Sequence, residues 1–180
     1  MKIGIYGGSF NPIHFGHIGL AKWVIEHTDL DQVWLMVSPN NPLKDKTILA
    51  DEQERLDAAK EAIRRESDEA KDKIIVSDFE FHLPRPTYTA NTLRALQKAY
   101  PEYEFTLIIG EDNLNIFNKW REYQYILDTY RIFVYPRRNI ISQTSQQHED
   151  ILRKANNVKL LADAPYFDIS STELRKNLHN

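Results

Sequence analysis

Short apolar, β-branched runs alternate along this chain with stretches in which apolar residues recur at helical spacing. The runs are 2–6, Val33-Trp34-Leu35-Met36-Val37, Ile74-Ile75-Val76, Phe105-Thr106-Leu107-Ile108-Ile109, Ile132-Phe133-Val134-Tyr135 and Val158-Lys159-Leu160-Leu161. Several are apolar nearly throughout, the pattern of parallel strands covered on both faces. Helical periodicity falls between them, near 17–27, 51–66, 89–99, 113–127, 145–155 and 171–178. The last stretch opens on Ser170 and Ser171, whose hydroxyls suit an N-cap. The alternation predicts an open, doubly wound α/β sheet, mainly parallel, in a single domain over 1–180. Such folds bind ligands beyond the carboxyl ends of the strands, where the winding direction reverses. That rule gathers the loops 7–16, 38–47, 79–88, 110–112 and 136–138 around one site.

The first of these loops carries the most chemistry. Gly7-Gly8-Ser9-Phe10-Asn11-Pro12-Ile13-His14-Phe15-Gly16-His17 leaves the first strand and enters a helix expected to begin near His17. Paired glycines let a backbone approach a ligand closely in a turn, and a helix mouth favours phosphate. Two histidines at that mouth would donate to phosphate oxygens, and their cationic form would offset charge spreading over the equatorial oxygens. The loop is not a dinucleotide fingerprint, because its glycines do not fit G-x-G-x-x-G. It is not a Walker A loop either, because no Gly-Lys-Ser/Thr follows. A metal would need a third ligand beside His14 and His17, and none is evident from spacing. Near the other end, Ile169-Ser170-Ser171-Thr172-Glu173-Leu174-Arg175 combines free helix amides, two hydroxyls and a guanidinium, the makings of a polyphosphate grip. Taken alone it also reads as a capping box. Arg55, Arg64 and Arg65 on the second helical stretch read as solvated, or as i,i+4 partners such as Asp51 with Arg55.

Composition narrows the chemistry further. With 180 residues, 42% hydrophobic and 27% charged, the chain has the balance of an ordinary globular domain. It contains no cysteine, which excludes disulfides, thiolate nucleophiles and cysteine zinc sites. A net charge of −3 provides no global field for nucleic acid, so a nucleic-acid partner is not expected. An anionic ligand needs local cations instead, for which Lys44 with Lys46, Arg137 with Arg138, and Arg175 with Lys176 are candidates. No basic segment leads an apolar run at the N-terminus, and no run is long enough to span a bilayer. No membrane partner is expected, and the expected address is the cytoplasm. A homo-oligomer is among the assemblies such a chain allows.

The two signatures together resemble the nucleotidyltransferase superfamily marked by histidine-x-glycine-histidine, here His14-Phe15-Gly16-His17. Within it the chain is most similar to bacterial nicotinate-nucleotide adenylyltransferases. Supporting segments are Pro39-Asn40-Asn41-Pro42-Leu43-Lys44, Asp78-Phe79-Glu80, Pro86-Thr87-Tyr88-Thr89 with Thr92-Leu93, Ile109-Gly110-Glu111-Asp112 with Trp120, and Tyr135-Pro136-Arg137. The resemblance implies a Rossmann-like domain that combines ATP and nicotinate mononucleotide into deamido-NAD and pyrophosphate. It implies direct in-line transfer, with Mg²⁺ carried by ATP and no metal ligand from the protein. By motif position, His14 and His17 are catalytic. Gly8, Ser9, Phe10, Lys44, Asp112, Arg137, Ser171, Thr172 and Arg175 serve ATP and its phosphates. Thr87, Tyr88, Thr89 and Trp120 serve the acceptor, the Trp120 ring by stacking. The chain departs from the family pattern at Leu43, Arg121 and Glu111, where His, Tyr and a small residue are common, and members usually continue past the position of Asn180. An acceptor other than nicotinate mononucleotide is the nearest alternative: its amide, phosphopantetheine or flavin mononucleotide. A noncatalytic nucleotide-binding protein is more distant.

Overall fold

The computed structural model describes residues 1–40, 51–137 and 146–166, together with Leu174 and Lys176. Six strands form one sheet, β1 (Lys2–Gly8), β2 (Gln32–Val37), β3 (Ile74–Ser77), β4 (Glu104–Gly110), β5 (Arg131–Tyr135) and β6 (Val158–Leu160). Their order is β3-β2-β1-β4-β5-β6 and every pairing is parallel. The six apolar runs are these six strands. The winding reverses between the adjacent central strands β1 and β4, and that is the switch point.

Burial explains why the central strands read as continuous apolar runs. Ile3 to Tyr6, Val33 to Val37 and Phe105 to Gly110 are all buried, because helices cover both faces. Alternate residues enter two separate cores. Tyr6, Val33, Leu35 and Ile108 pack with Ile18, Leu20 and Val24 of α1 (Phe15–His27) and with Leu56, Ala59 and Ile63 of α2 (Glu52–Arg64). Ile3, Ile5, Met36, Leu107 and Ile109 pack with Ala90, Leu93 and Leu96 of α3 (Thr89–Ala99), and with Leu114, Phe117 and Ile126. Gly4 sits where the first core is tightest. A Cβ there would lie 2.7 Å from Ile108 Cδ1 and 2.8 Å from Leu30 Cδ1.

Three details differ from the expected pattern. Strand β1 runs on through Gly7 and Gly8, which pair with Met36 and Val37, so the glycines end a strand instead of making a turn. The residue in the left-handed region is Phe10, with φ 47°. Helix α1 begins at Phe15, two residues before the expected start, which makes His14 the N-cap. The single helix expected over 113–127 is broken into α4 (Glu111–Asn115), a 3-10 turn at Phe117–Lys119 and α5 (Tyr123–Thr129). Its periodicity fails at Arg121, where the stripe through Leu114 and Phe117 would need an apolar residue. The chain turns there instead, with Trp120 extended and Glu122 left-handed at φ 55°. Arg94 of α3 holds Glu122 in place through two hydrogen bonds of 2.8 and 2.6 Å. α6 (Gln146–Lys154) follows β5. Of the stretch expected as a helix over 171–178, the described Leu174 and Lys176 are helical.

The wholly buried Leu93 joins α3 to the second core. Leu93→Ala should destabilise the domain by about 2–5 kcal/mol, the range for truncating a buried leucine. Urea unfolding should show a lower midpoint at an unchanged slope. An unchanged midpoint would mean that α3 is not packed as described.

Candidate active site

Beyond Gly8 the chain passes to α1 on one face of the sheet and beyond Gly110 to α4 on the other, which leaves an opening between the two connections, flanked by the described parts of the neighbouring loops. The backbone of the first loop is fixed from below by Phe10. Its buried ring packs against His17 at 4.9 Å and Tyr6 at 5.7 Å, and a Cβ on Gly8 would stand 3.3 Å from it. Gly8 therefore makes room for the Phe10 ring. At 3% exposure that ring cannot meet a ligand, and any contact from Phe10 would come from its backbone.

The two histidines hold each other's position. His14 is extended (φ −145°, ψ 173°), and its Nδ1 accepts the Gly16 N–H at 3.0 Å. His17 Nδ1 accepts the His14 N–H at 3.2 Å, closing a reciprocal cap in which histidines stand in for the usual Ser and Glu. The rings stack at 3.8 Å with an interplanar angle of 26°. An imidazole nitrogen that accepts a hydrogen bond carries no proton, so each ring has its proton on Nε2 and is neutral. This corrects the cationic form expected from sequence. Burial, followed by the charge of Arg137, lowers the pKa of His14. Burial, followed by the charges of His14 and Arg137, lowers that of His17 to about 3. The pair is a set of two oriented neutral donors.

Arg137, just past β5, lies over the Tyr135 ring at 5.4 Å, and its Nε stands 3.6 Å from Asp112 Oδ1. Both side chains are about half exposed. Asp112 belongs to the first turn of α4 and folds back over Gly110, where a Cβ would lie 2.4 Å from its Oδ1. Gly110 leaves room for the close approach of Asp112, Tyr135 and Arg137.

The other side of the opening is the turn before α3. Thr87 and Tyr88 precede Thr89, the first helical residue, and no side chain caps the N-terminus there. Glu80 lies behind this turn. It accepts the Thr92 hydroxyl at 2.8 Å and the Thr87 hydroxyl at 3.4 Å, and burial pushes its carboxyl up against those two bonds. The Thr87 hydroxyl is thus engaged by Glu80, and the turn presents backbone amides. Trp120 is partly buried, with its ring 5.0 Å from Phe117 at 42°. Arg121 places its guanidinium over the Tyr88 ring at 4.7 Å, which ties the Trp120 segment to the turn.

The structure thus brings Gly8, Ser9, His14, His17, Asp112 and Arg137 to one side and Thr87, Tyr88, Thr89 and Trp120 to the other. Lys44, Ser171, Thr172 and Arg175 lie outside the described residues. Among the described residues no three His, Asp or Glu side chains gather as metal ligands.

Arg55 was misread from sequence. It is 2% exposed and donates to the carbonyls of Ser9 at 2.6 Å and Ser38 at 2.8 Å, and to Asn40 Oδ1 at 3.0 Å. It joins the loop after β1 to the loop after β2. The signal was its register, because Arg55, Ala59 and Ile63 share one buried stripe of α2 at four-residue spacing. Glu80, in the 3-10 turn Phe79–His82, had no signal of register, and only the family resemblance pointed to its segment.

A family model described as cytidylyltransferase-like matches residues 5–177. Over 182 aligned residues the chain is 46% identical to the "Probable nicotinate-nucleotide adenylyltransferase" of Flavobacterium psychrophilum, covering 100% of this chain and 88% of that protein. The chain belongs to the nicotinate-nucleotide adenylyltransferase family. A family member of the same name from Bacteroides fragilis is 45% identical, with 98% of this chain and 82% of that protein covered. The fold agrees with that of the family as well. The solved structure of Plasmodium falciparum nicotinic acid mononucleotide adenylyltransferase complexed with NaAD superposes with a TM-score of 0.79 at 24% identity, over 97% of this chain and 82% of that one.

The histidine cap generates a pH signature. Above about pH 6.5, the ordinary histidine pKa, neither folded nor unfolded His17 binds the extra proton, and full stability is present. From about 6.5 down to about 3, the unfolded chain takes up the proton while folded His17, held at about 3, does not, so stability falls as pH falls. The limiting slope is about 1.4 kcal/mol per pH unit. His17→Asn keeps an acceptor for the His14 N–H but does not titrate, and it should remove this share of the slope. Parallel curves of unfolding free energy against pH for the two proteins would show that His17 titrates freely.

Proposed function

We propose that the chain transfers the adenylyl group of ATP to nicotinate mononucleotide, as its family name describes. An oxygen of the mononucleotide phosphate attacks the α-phosphorus of ATP. The bond from that phosphorus to the bridging oxygen breaks, and pyrophosphate leaves with its electron pair. The product is the deamido dinucleotide. Mg²⁺ enters as the metal–ATP substrate and offsets charge on its phosphates. The chain contains no cysteine, and His14 and His17 are committed to their cap, so positioning and electrostatics supply the rate without a protein nucleophile.

The observation that carries this reading is the reciprocal cap of His14 and His17. Two neutral Nε2–H donors are locked at the N-terminus of a 13-residue helix, at the switch point of the sheet. Their bonds to phosphate oxygens strengthen as charge shifts in the transition state, and no reorganisation is needed at that moment. Arg137 supplies a fixed positive charge nearby, and Asp112 offers acceptors to the nucleotide. Lys44, Ser171, Thr172 and Arg175 complete the polyphosphate grip. On the acceptor side, Trp120 provides a face for the pyridine ring. The uncapped N-terminus of α3 at Tyr88 and Thr89 favours the acid over its amide, because free helix amides suit a carboxylate.

Two experiments test this. Pyrophosphate release should require ATP, Mg²⁺ and a mononucleotide together, and kcat/KM should strongly favour nicotinate over nicotinamide mononucleotide. A desolvated mismatch of one hydrogen-bonding group can cost several kcal/mol. Parity, or use of phosphopantetheine or flavin mononucleotide instead, would reassign the acceptor. Second, His17→Ala should lower turnover by about 100-fold or more and weaken ATP binding far less. Near-normal turnover would reduce the cap to a structural role, and a trapped adenylyl-protein intermediate would overturn direct transfer.

A further inference from the structure

The first turn of α2 touches three of the segments that flank the opening. Arg55 donates to Ser9 O, Ser38 O and Asn40 Oδ1, and so grips both the phosphate loop and the loop after β2. Three residues earlier on the helix, Glu52 uses one oxygen, Oε2, for two donors: the Asn40 N–H at 3.0 Å and Arg85 Nη1 at 2.9 Å. Arg85 lies at the entrance of the Pro86-Thr87-Tyr88-Thr89 turn, and its other nitrogen reaches Phe81 O at 3.4 Å. The carboxylate of Glu52 is drawn below its ordinary range by the Arg85 and Asn40 bonds acting against burial. A continuous path therefore runs from Ser9 through Arg55, Asn40 and Glu52 to Arg85. It crosses from the histidine side of the opening to the Trp120 side without passing through the site itself.

We infer that Glu52 and Arg55 are positioning residues that tie the phosphate loop to the acceptor turn, with Arg85 acting on acceptor binding through Glu52. Asn40 is the junction, since its side chain is held by one residue and its backbone by the other. The two half-sites must present the acceptor phosphate to the α-phosphorus in line, and a misplacement of about 1 Å is expensive in such a geometry. Both anchors stand on one helical turn, so their separation is fixed by helix geometry. The identity of the two ligands rests on the function proposed above, whereas the coupling rests on these bonds alone.

The test uses Glu52→Gln, Arg85→Gln and the double variant. Each single variant should raise KM for nicotinate mononucleotide about fivefold, the factor one partly exposed ion pair can carry. KM for ATP and Tm should stay near wild type, and Arg85→Lys should recover most of the loss. The double variant should be no worse than either single one. Additive effects, an equal rise in both KM values, or no effect would overturn the assignment. A second arm needs no ligand. In the free protein, Arg85→Gln should speed hydrogen exchange at the Asn40 amide, which Arg85 does not touch. Unchanged exchange there overturns the coupling whatever the acceptor proves to be. If wild type ignores nicotinate mononucleotide but exchange behaves as stated, the functional reading fails and the coupling stands.

Discussion

A backbone N–H aimed at an imidazole nitrogen is the constraint on which the site depends. The usual N-cap uses a hydroxyl or carboxylate, groups with oxygens to spare. Here the cap acceptors are His14 Nδ1 and His17 Nδ1, and each ring has only one other polar atom. Satisfying the helix terminus therefore determines tautomer, charge and direction together. The same bonds that start α1 leave two Nε2–H groups as the rings' remaining polar atoms. Starting the helix and orienting the two donors are one event here, and the pairing of the rings at 3.8 Å is a consequence of it.

The sheet supplies the rest by converging its loops. The connections leave β1 and β4 for opposite faces of the sheet, which leaves a crevice between them at the switch point. Polar side chains then hold those segments together, two of them from within the fold and one at its surface. Arg55 secures Ser9 to Ser38, Glu80 secures Thr87 to Thr92, and Arg94 secures Glu122 beside Trp120. None of these three needs to touch a ligand. Arg55 and Glu80 satisfy groups that would otherwise be desolvated and unpaired, and that penalty keeps a polar network in one arrangement.

The strands were legible because their burial is two-sided. Runs such as Phe105-Thr106-Leu107-Ile108-Ile109 have no solvent face and advertise it, and the parallel sheet and its switch point follow. The meeting of His14 and His17 at a helix mouth was legible from their spacing. Their charge state was not, because that depends on which nitrogen meets the His14 N–H, a matter of one bond's direction. The helix break at Trp120 left one trace, the polar Arg121 where the stripe through Leu114 and Phe117 needs an apolar residue, but the left-handed Glu122 that makes the turn carries no residue-type signal. Arg55 was misread because residue type outweighed register. An arginine is usually solvated, but one aligned with Ala59 and Ile63 faces inward.

Phe10 carries a consequence for ligand binding. A bulky residue at φ 47° is uncommon, and this one is tolerated because its ring is sealed beneath the loop it shapes. The segment from Ser9 to His14 is thus held by the hydrophobic core rather than by an arriving nucleotide. Ordering a free backbone costs about 1–2 kcal/mol per residue, and here folding has already met that cost. For the nucleotide proposed above, binding energy from its phosphates would then go into alignment and not into ordering this segment.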